Sequence, residues 1–214
     1  MMTEKEWLDC ADPRDLLVCL EEKTSERKAR LYTCGLGRCA WPFLGDDRSR
    51  NVVDIAEKYA DGLVTSLELQ VVWKAALDAR QGAASYIAAY TGDRGPWQAA
   101  RMAVIAIQLA KREATTAKDW STNLSARSRR LLHCVFRNPF REIAMEPAWL
   151  AWHDGTIPQI AQTIYDHRTF NDLPILADAL EEAGCNNADI LAHCRSGGEH
   201  VRGCWVVDLL LGKV

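Results

Sequence analysis

The feature that most constrains the fold is an apolar run near the C-terminus, Cys204–Leu211, in which Asp208 is the one charged residue. This run is too apolar for a surface element and far too short to span a membrane. Trp205 and Leu209 are four residues apart, and the other apolar residues cover most of the remaining helix circumference. We therefore expect a buried, central element. A helix over residues 199–211 is predicted, and a strand is the alternative, because periodicity alone does not decide short apolar runs.

Helical periodicity also dominates the rest of the chain. Apolar residues recur at three- and four-residue steps between turn residues, and no alternating strand pattern of useful length occurs. Asp12 before Pro13 is typical of a helix start, and Gly184 is typical of a helix end. At 214 residues the chain can bury a sizeable core. We predict an all-α protein, either an irregular multi-helix bundle or a stack of helical hairpins.

Charge is distributed unevenly along the chain. Residues 1–141 contain 22 basic and 18 acidic residues, whereas residues 142–214 contain 4 basic and 11 acidic residues. We predict a slightly basic helical part, residues 1–142, and an acidic helical module, residues 143–214, packed together as one domain. The asymmetry could orient the molecule against a partner or let the two parts attract each other.

Cysteine usage and the N-terminus indicate a compartment. The chain has eight cysteines and begins with an acidic segment that lacks the basic and apolar parts of a secretory signal. The cysteines of such a chain are typically reduced thiols and do not form disulfides. We therefore expect a cytoplasmic protein with no membrane partner.

The C-terminal stretch also contains residue types that bind metals. Thiolates and imidazoles are the preferred ligands of zinc, and the candidate set is Cys185, Cys194, His200 and Cys204. The spacing matches no zinc motif, because there is no close CxxC pair. Cysteine is also a small, frequently buried hydrophobe. We expect buried, reduced cysteines and no cofactor, and zinc is the alternative.

A second candidate site is basic. Side chains at three- and four-residue steps would align on one face of a helix. They are Arg127, Arg130, His133, Arg137 and Arg141. This face could bind the phosphates of a nucleic acid, or it could meet the acidic C-terminal module. The negative net charge of −3 favours a solvated or intramolecular face.

Signatures of catalysis are sparse. The chain contains no GxSxG, HExxH, P-loop or dinucleotide-binding motif. Cys194 or Cys204 could pair with His193 or His200 as an activated nucleophile, although nothing in the sequence shows that they meet. Enzymatic activity is therefore not the expectation.

Six segments of the chain have a recognisable pattern: EWLDCADPRDLL, ERKARLYTCGLGRCAW, NPF at residues 138–140, LPILADALEEAGC, ADILAHCR and HVRGCWVVDLLLGK. These segments resemble a large family of bacterial paralogues that has no assigned activity. The resemblance covers both ends and part of the middle of the chain. It implies a bacterial origin and a familiar folding unit, and it transfers no catalytic residue.

These observations lead to a ranked set of functions. The leading hypothesis is a cytosolic helical accessory or protein-interaction module without a catalytic centre, whose partner is another protein. The alternatives are a metal-binding protein that uses the C-terminal Cys/His cluster and a nucleic-acid-associated protein that uses the arginine-rich face. A cysteine-dependent enzyme comes last.

Overall fold

The prediction of an all-α protein is confirmed. The computed structural model describes residues 2–113 and 118–213, which form α-helices, short 3-10 helices and connecting turns, with no β-strand among them. The α-helices are α1 (Glu4–Asp9), α2 (Pro13–Leu20), α3 (Glu26–Cys39), α4 (Asp47–Ala60), α5 (Ser66–Asp78), α6 (Ala83–Tyr90), α7 (Pro96–Glu113), α8 (Lys118–Val135), α9 (Pro147–Ala151), α10 (Thr156–His167), α11 (Leu173–Glu182), α12 (Ala188–Arg195) and α13 (Trp205–Leu210). Within the described part of the chain, no helix is both long and apolar enough to cross a membrane.

The chain divides into two compact units, Met1–His133 and Cys134–Val214. The division falls close to the end of α8, and the sequence-based boundary after Glu142 lies slightly later. The change from basic to acidic composition therefore occurs in the same region as the change from one unit to the next.

In the N-terminal unit, α3 is the central helix and packs against α4, α6 and α7. Its residues from Ala29 to Gly37 are all buried. Gly37 permits a close approach of α4, because a Cβ atom at this position would lie 3.0 Å from Val53. A buried hydrogen bond also joins α3 to α8, because the Tyr32 hydroxyl donates to the Ser128 carbonyl at 3.2 Å.

In the C-terminal unit, α10, α11, α12 and α13 surround one apolar core. The run predicted to be buried lies in this core, since Val206 and Val207 are fully buried and Trp205 is 8% exposed. It forms a helix, which excludes the alternative of a strand. This helix is shorter than residues 199–211. Gly203 adopts a positive φ of 90°, which ends the preceding turn and lets α13 begin at Trp205.

Candidate metal centre

Two thiols and two imidazoles converge in the C-terminal unit. The donor atoms of Cys134, His193, His200 and Cys204 all lie within 4.8 Å of one another. Cys134 belongs to the last turn of α8, His193 lies on α12, and Cys204 directly precedes α13. His200 lies in the segment that connects the last two helices. The cluster therefore joins four separate parts of the unit.

Local structure explains how α12 presents His193. The Asn187 side chain accepts hydrogen bonds from the backbone N–H groups of Asp189 and Ile190 and thereby caps the helix. Ile190 and Cys194 are buried on one face. His193 is half-buried, and its ring lies 5.1 Å from the ring of Trp205.

Ser196 holds the second imidazole. Nε2 of His200 lies 3.3 Å from the Ser196 carbonyl oxygen and 3.4 Å from its hydroxyl oxygen. A carbonyl can only accept a hydrogen bond, so in the neutral imidazole this contact favours the tautomer with its proton on Nε2. Nδ1 then carries a lone pair, and this atom faces the Cys134 sulfur at 3.5 Å. Such a partner on the outer ring nitrogen is typical of metal-binding histidines.

The distances between donors resemble those of a tetrahedral zinc site. Zinc binds sulfur at about 2.3 Å and nitrogen at about 2.0–2.1 Å, which places nitrogen and sulfur about 3.5 Å apart. In the cluster, the nitrogen–sulfur distance is 3.5 Å for Cys134 with His200 and 3.3 Å for His193 with Cys204. Two sulfurs on one zinc are about 3.8 Å apart. All donor atoms of the cluster lie within 4.8 Å of one another, so no separation exceeds the sulfur–sulfur separation on zinc by more than about 1 Å.

The electrostatics of the cluster favour the thiolate form of one cysteine. Burial raises the pKa of Cys204, but hydrogen bonds with Cys134, His193 and His200 and the charge of His193 outweigh it. The pKa of Cys204 is therefore held well below that of a free thiol. For His200, burial lowers the pKa, but the hydrogen bond with Cys204 and the charge of Cys204 raise it by more. The pKa of His200 is therefore raised above that of a free imidazole.

Two of the four residues named from the sequence belong to this cluster. They are His200 and Cys204. Cys185 and Cys194 are buried in the core of the same unit, and burial raises the pKa of both thiols. Among the described residues, neither belongs to the cluster.

The other two cluster residues show what sequence reasoning missed. Cys134 is remote in sequence and comes near the cluster only through the fold of the unit. His193 is absent from the ligand set predicted from the sequence, although it directly precedes Cys194. A local signal does exist, because His193, His200 and Cys204 are spaced as HxxxxxxHxxxC.

A Cys-His pair does form, although it is poorly placed for nucleophilic catalysis. His193 Nε2 lies 3.3 Å from the Cys204 sulfur. Cys204 has no exposed surface, and Cys194 is 1% exposed. A catalytic thiolate needs access to its substrate. Burial therefore favours metal binding over attack on a substrate.

The arginine-rich face is not one continuous helical surface. Helix α8 ends at Val135, so Arg137 and Arg141 lie beyond it in the C-terminal unit. There Arg141 pairs with Asp189 at 2.9 Å. The Asn138-Pro139 pair follows, where a helix rarely continues, so three- and four-residue steps do not place Arg141 on the same helix face as Arg127 and Arg130.

Within α8 the basic residues differ in environment. Arg130 is exposed, Arg127 is half-buried and hydrogen-bonds with Cys39, and the His133 ring meets Trp7 edge-on at 5.6 Å. Arg127 and His133 therefore have intramolecular contacts.

Comparisons of the chain with protein-family models, curated proteins and solved structures found no match. The resemblance of segments at both ends and in the middle of the chain to a bacterial family stays a prediction, and the functional proposal rests on the geometry of the cluster.

Proposed function

We propose that this protein binds one zinc ion through Cys134, His193, His200 and Cys204. The observation that carries the proposal is the convergence of two thiols and two imidazoles within 4.8 Å. This donor set is one of the standard structural zinc sets, and borderline-soft ligands of this kind favour zinc over magnesium or calcium.

A structural role fits the site better than a catalytic role. A catalytic zinc keeps one coordination position open for water or substrate, whereas four protein ligands fill a tetrahedral ion. Both cysteines are almost fully buried, at 2% for Cys134 and 0% for Cys204. The ion would tie the end of α8 and the segment around His200 to α12 and α13.

Metal content of the untagged, purified protein tests this proposal. We expect about one zinc ion per chain by elemental analysis, because the site offers one complete tetrahedral ligand set. Cobalt in place of zinc should give the visible absorption of a tetrahedral ion with thiolate ligands. A protein that refolds fully in the presence of a chelator and contains no stoichiometric metal would contradict the proposal.

Cysteine variants provide a matched control. Cys134→Ser and Cys204→Ser each remove a ligand and should abolish stoichiometric zinc. Cys185→Ser and Cys194→Ser remove buried thiols of the same unit outside the cluster and should retain zinc. The reverse pattern would assign the ion to a different set of cysteines.

A second candidate is the protein-interaction role that the sequence favours. Three large apolar side chains in and just before α5 follow one another at four-residue steps and are 62–70% exposed; they are Leu63, Leu67 and Val71. Exposed apolar surface favours association with another protein. Sedimentation tests self-association, which should be lost in a Leu67→Asp, Val71→Asp variant if the partner is a second copy.

Such a module would act in the cytoplasm. None of the eight cysteines, all of which the structure describes, forms a disulfide, which is typical of proteins in a reducing compartment. Reduced cysteines are also the form in which Cys134 and Cys204 can bind zinc.

A further inference from the structure

The N-terminal unit contains a cavity of ≈ 580 Å³ that the proposed zinc site does not involve. Residues from the first turns of α3 and α5, from the end of α4 and from the turn after α6 line it. Its volume lies in the range of about 300–1,000 Å³ that small-molecule sites occupy. The cavity is therefore large enough for a metabolite.

Arg30 is the unusual residue in its wall. This side chain lies in the second turn of α3, and Arg30 is 7% exposed. Its Nη1 donates to the Thr91 carbonyl at 2.7 Å, and its guanidinium lies 5.1 Å from the ring centre of Tyr59. A guanidinium has five N–H donors, so the Thr91 carbonyl leaves most of them available.

A buried arginine normally has a carboxylate partner, because an unpaired buried charge is costly. Among the described residues, no carboxylate pairs with Arg30 within 4.0 Å. Burial correspondingly lowers the pKa of Arg30, against the attraction of more distant acidic groups. Arg30 thus has the charge and the donors to bind an anion that enters the cavity.

The other charged residues of the wall limit what can bind. Arg27 is occupied by Asp61 at 3.0 Å, and Arg94 is exposed. Glu26 and Asp93 also line the cavity. Their carboxylates would repel a polyanion such as a nucleic acid. A ligand with a single anionic group, whose remaining part forms hydrogen bonds, is compatible with these two carboxylates.

We propose that this cavity binds a small molecule through a single carboxylate or phosphate group held by Arg30. The planar guanidinium can bind two oxygens of either group side by side. The Tyr59 ring and the Thr91 carbonyl fix its orientation before the ligand arrives.

NMR titration of the full-length protein tests the proposal and distinguishes the two oxyanions. Inorganic phosphate and acetate are added separately at constant ionic strength, with sodium chloride as the reference. We expect saturable shifts of the Arg30 Nε–H signal and of the backbone amides of residues 91–94 with one of the two probes. A response to phosphate indicates a phosphorylated ligand, and a response to acetate indicates a carboxylic acid.

Variants separate an anion site from a structural arginine. Arg30→Lys keeps the charge but loses the two-point contact, so the affinity for the responding probe should fall at least about tenfold. Arg30→Gln should abolish the response if it folds. Arg80→Gln alters an exposed arginine on Tyr86, outside the cavity, and should leave the affinity unchanged. Absence of a saturable response in the wild-type protein, or equal affinity in Arg30→Lys, would overturn the proposal.

Discussion

At the scale of single residues, Trp205 should contribute strongly to stability. It is 8% exposed, it belongs to the core of the C-terminal unit, and its ring lies beside His193. Trp205→Ala would leave a large cavity and lower the free energy of unfolding by about 3–5 kcal/mol. Chemical denaturation measures this change. Leu67→Ala is the control, since Leu67 is 69% exposed and should change stability by less than about 0.5 kcal/mol.

Cys39 provides a prediction about pH. Burial raises the pKa of Cys39 to about 11, although the charge of Arg127 and its hydrogen bond act in the opposite direction. A thiol whose pKa is raised on folding stabilises the folded state fully below its unfolded pKa. That contribution is lost as the pH rises from about 9 towards 11.

The expected loss between pH 7 and pH 10.5 is about 2 kcal/mol, which is most of what a shift of about two pKa units can contribute. Denaturation of the wild type and of Cys39→Ala at pH 7 and pH 10.5 measures it. The wild type should lose more stability than the variant over this interval. Equal losses in the two proteins would show that Cys39 does not carry the effect.

Residue types in the sequence predicted half of the candidate site. His200 and Cys204 were identifiable because they lie four residues apart in a segment already rich in cysteine. Cys134 was not identifiable, because it meets the other three residues only through the tertiary fold of the C-terminal unit. Periodicity in the sequence does not report such contacts. Cys185 and Cys194 share the chemistry of ligands, but they are buried as ordinary core residues.

At the scale of elements, the helix type and the buried faces were predictable, whereas helix ends were less so. The burial of the final apolar run was predictable because apolar residues cover most of the helix circumference. The first residue of α13 was not predictable, because Gly203 adopts a left-handed conformation that a helical pattern cannot reveal. The irregular segment before it positions His200.

Deletion of residues 203–214 tests the role of α13. The deletion removes Cys204 together with the buried residues Val206 and Val207. We expect aggregated or molten protein, because the core of the C-terminal unit loses a central element. Near-ultraviolet circular dichroism and thermal unfolding measure this. A cooperative transition near the wild-type temperature would show that α13 is an appendage.

The arginine-rich face gives an expectation for nucleic acids. Arg127 and Arg141 already contact groups of their own unit, Cys39 and Asp189 respectively. We expect no binding of DNA or RNA at physiological salt, because phosphate contacts weaken steeply as salt increases. Fluorescence anisotropy over a salt series measures this. A salt-sensitive complex that disappears in Arg130→Ala would contradict the expectation.

At the scale of the whole molecule, the two units differ in chemistry. The N-terminal unit contains the cavity around Arg30, and the C-terminal unit contains the Cys/His cluster. All four proposed ligands lie in the C-terminal unit. Removal of metal should therefore act on one unit far more than on the other.

Hydrogen–deuterium exchange with and without a chelator tests this selectivity. Binding of a structural metal contributes directly to folding free energy, so its loss should increase local opening where its ligands lie. We expect faster exchange in α12, in α13 and in the segment between them, and little change in α3 and α4. His200→Asn should reproduce the chelated pattern without chelator, whereas Cys194→Ser should not. Faster exchange spread evenly over both units would contradict a metal site confined to the C-terminal unit.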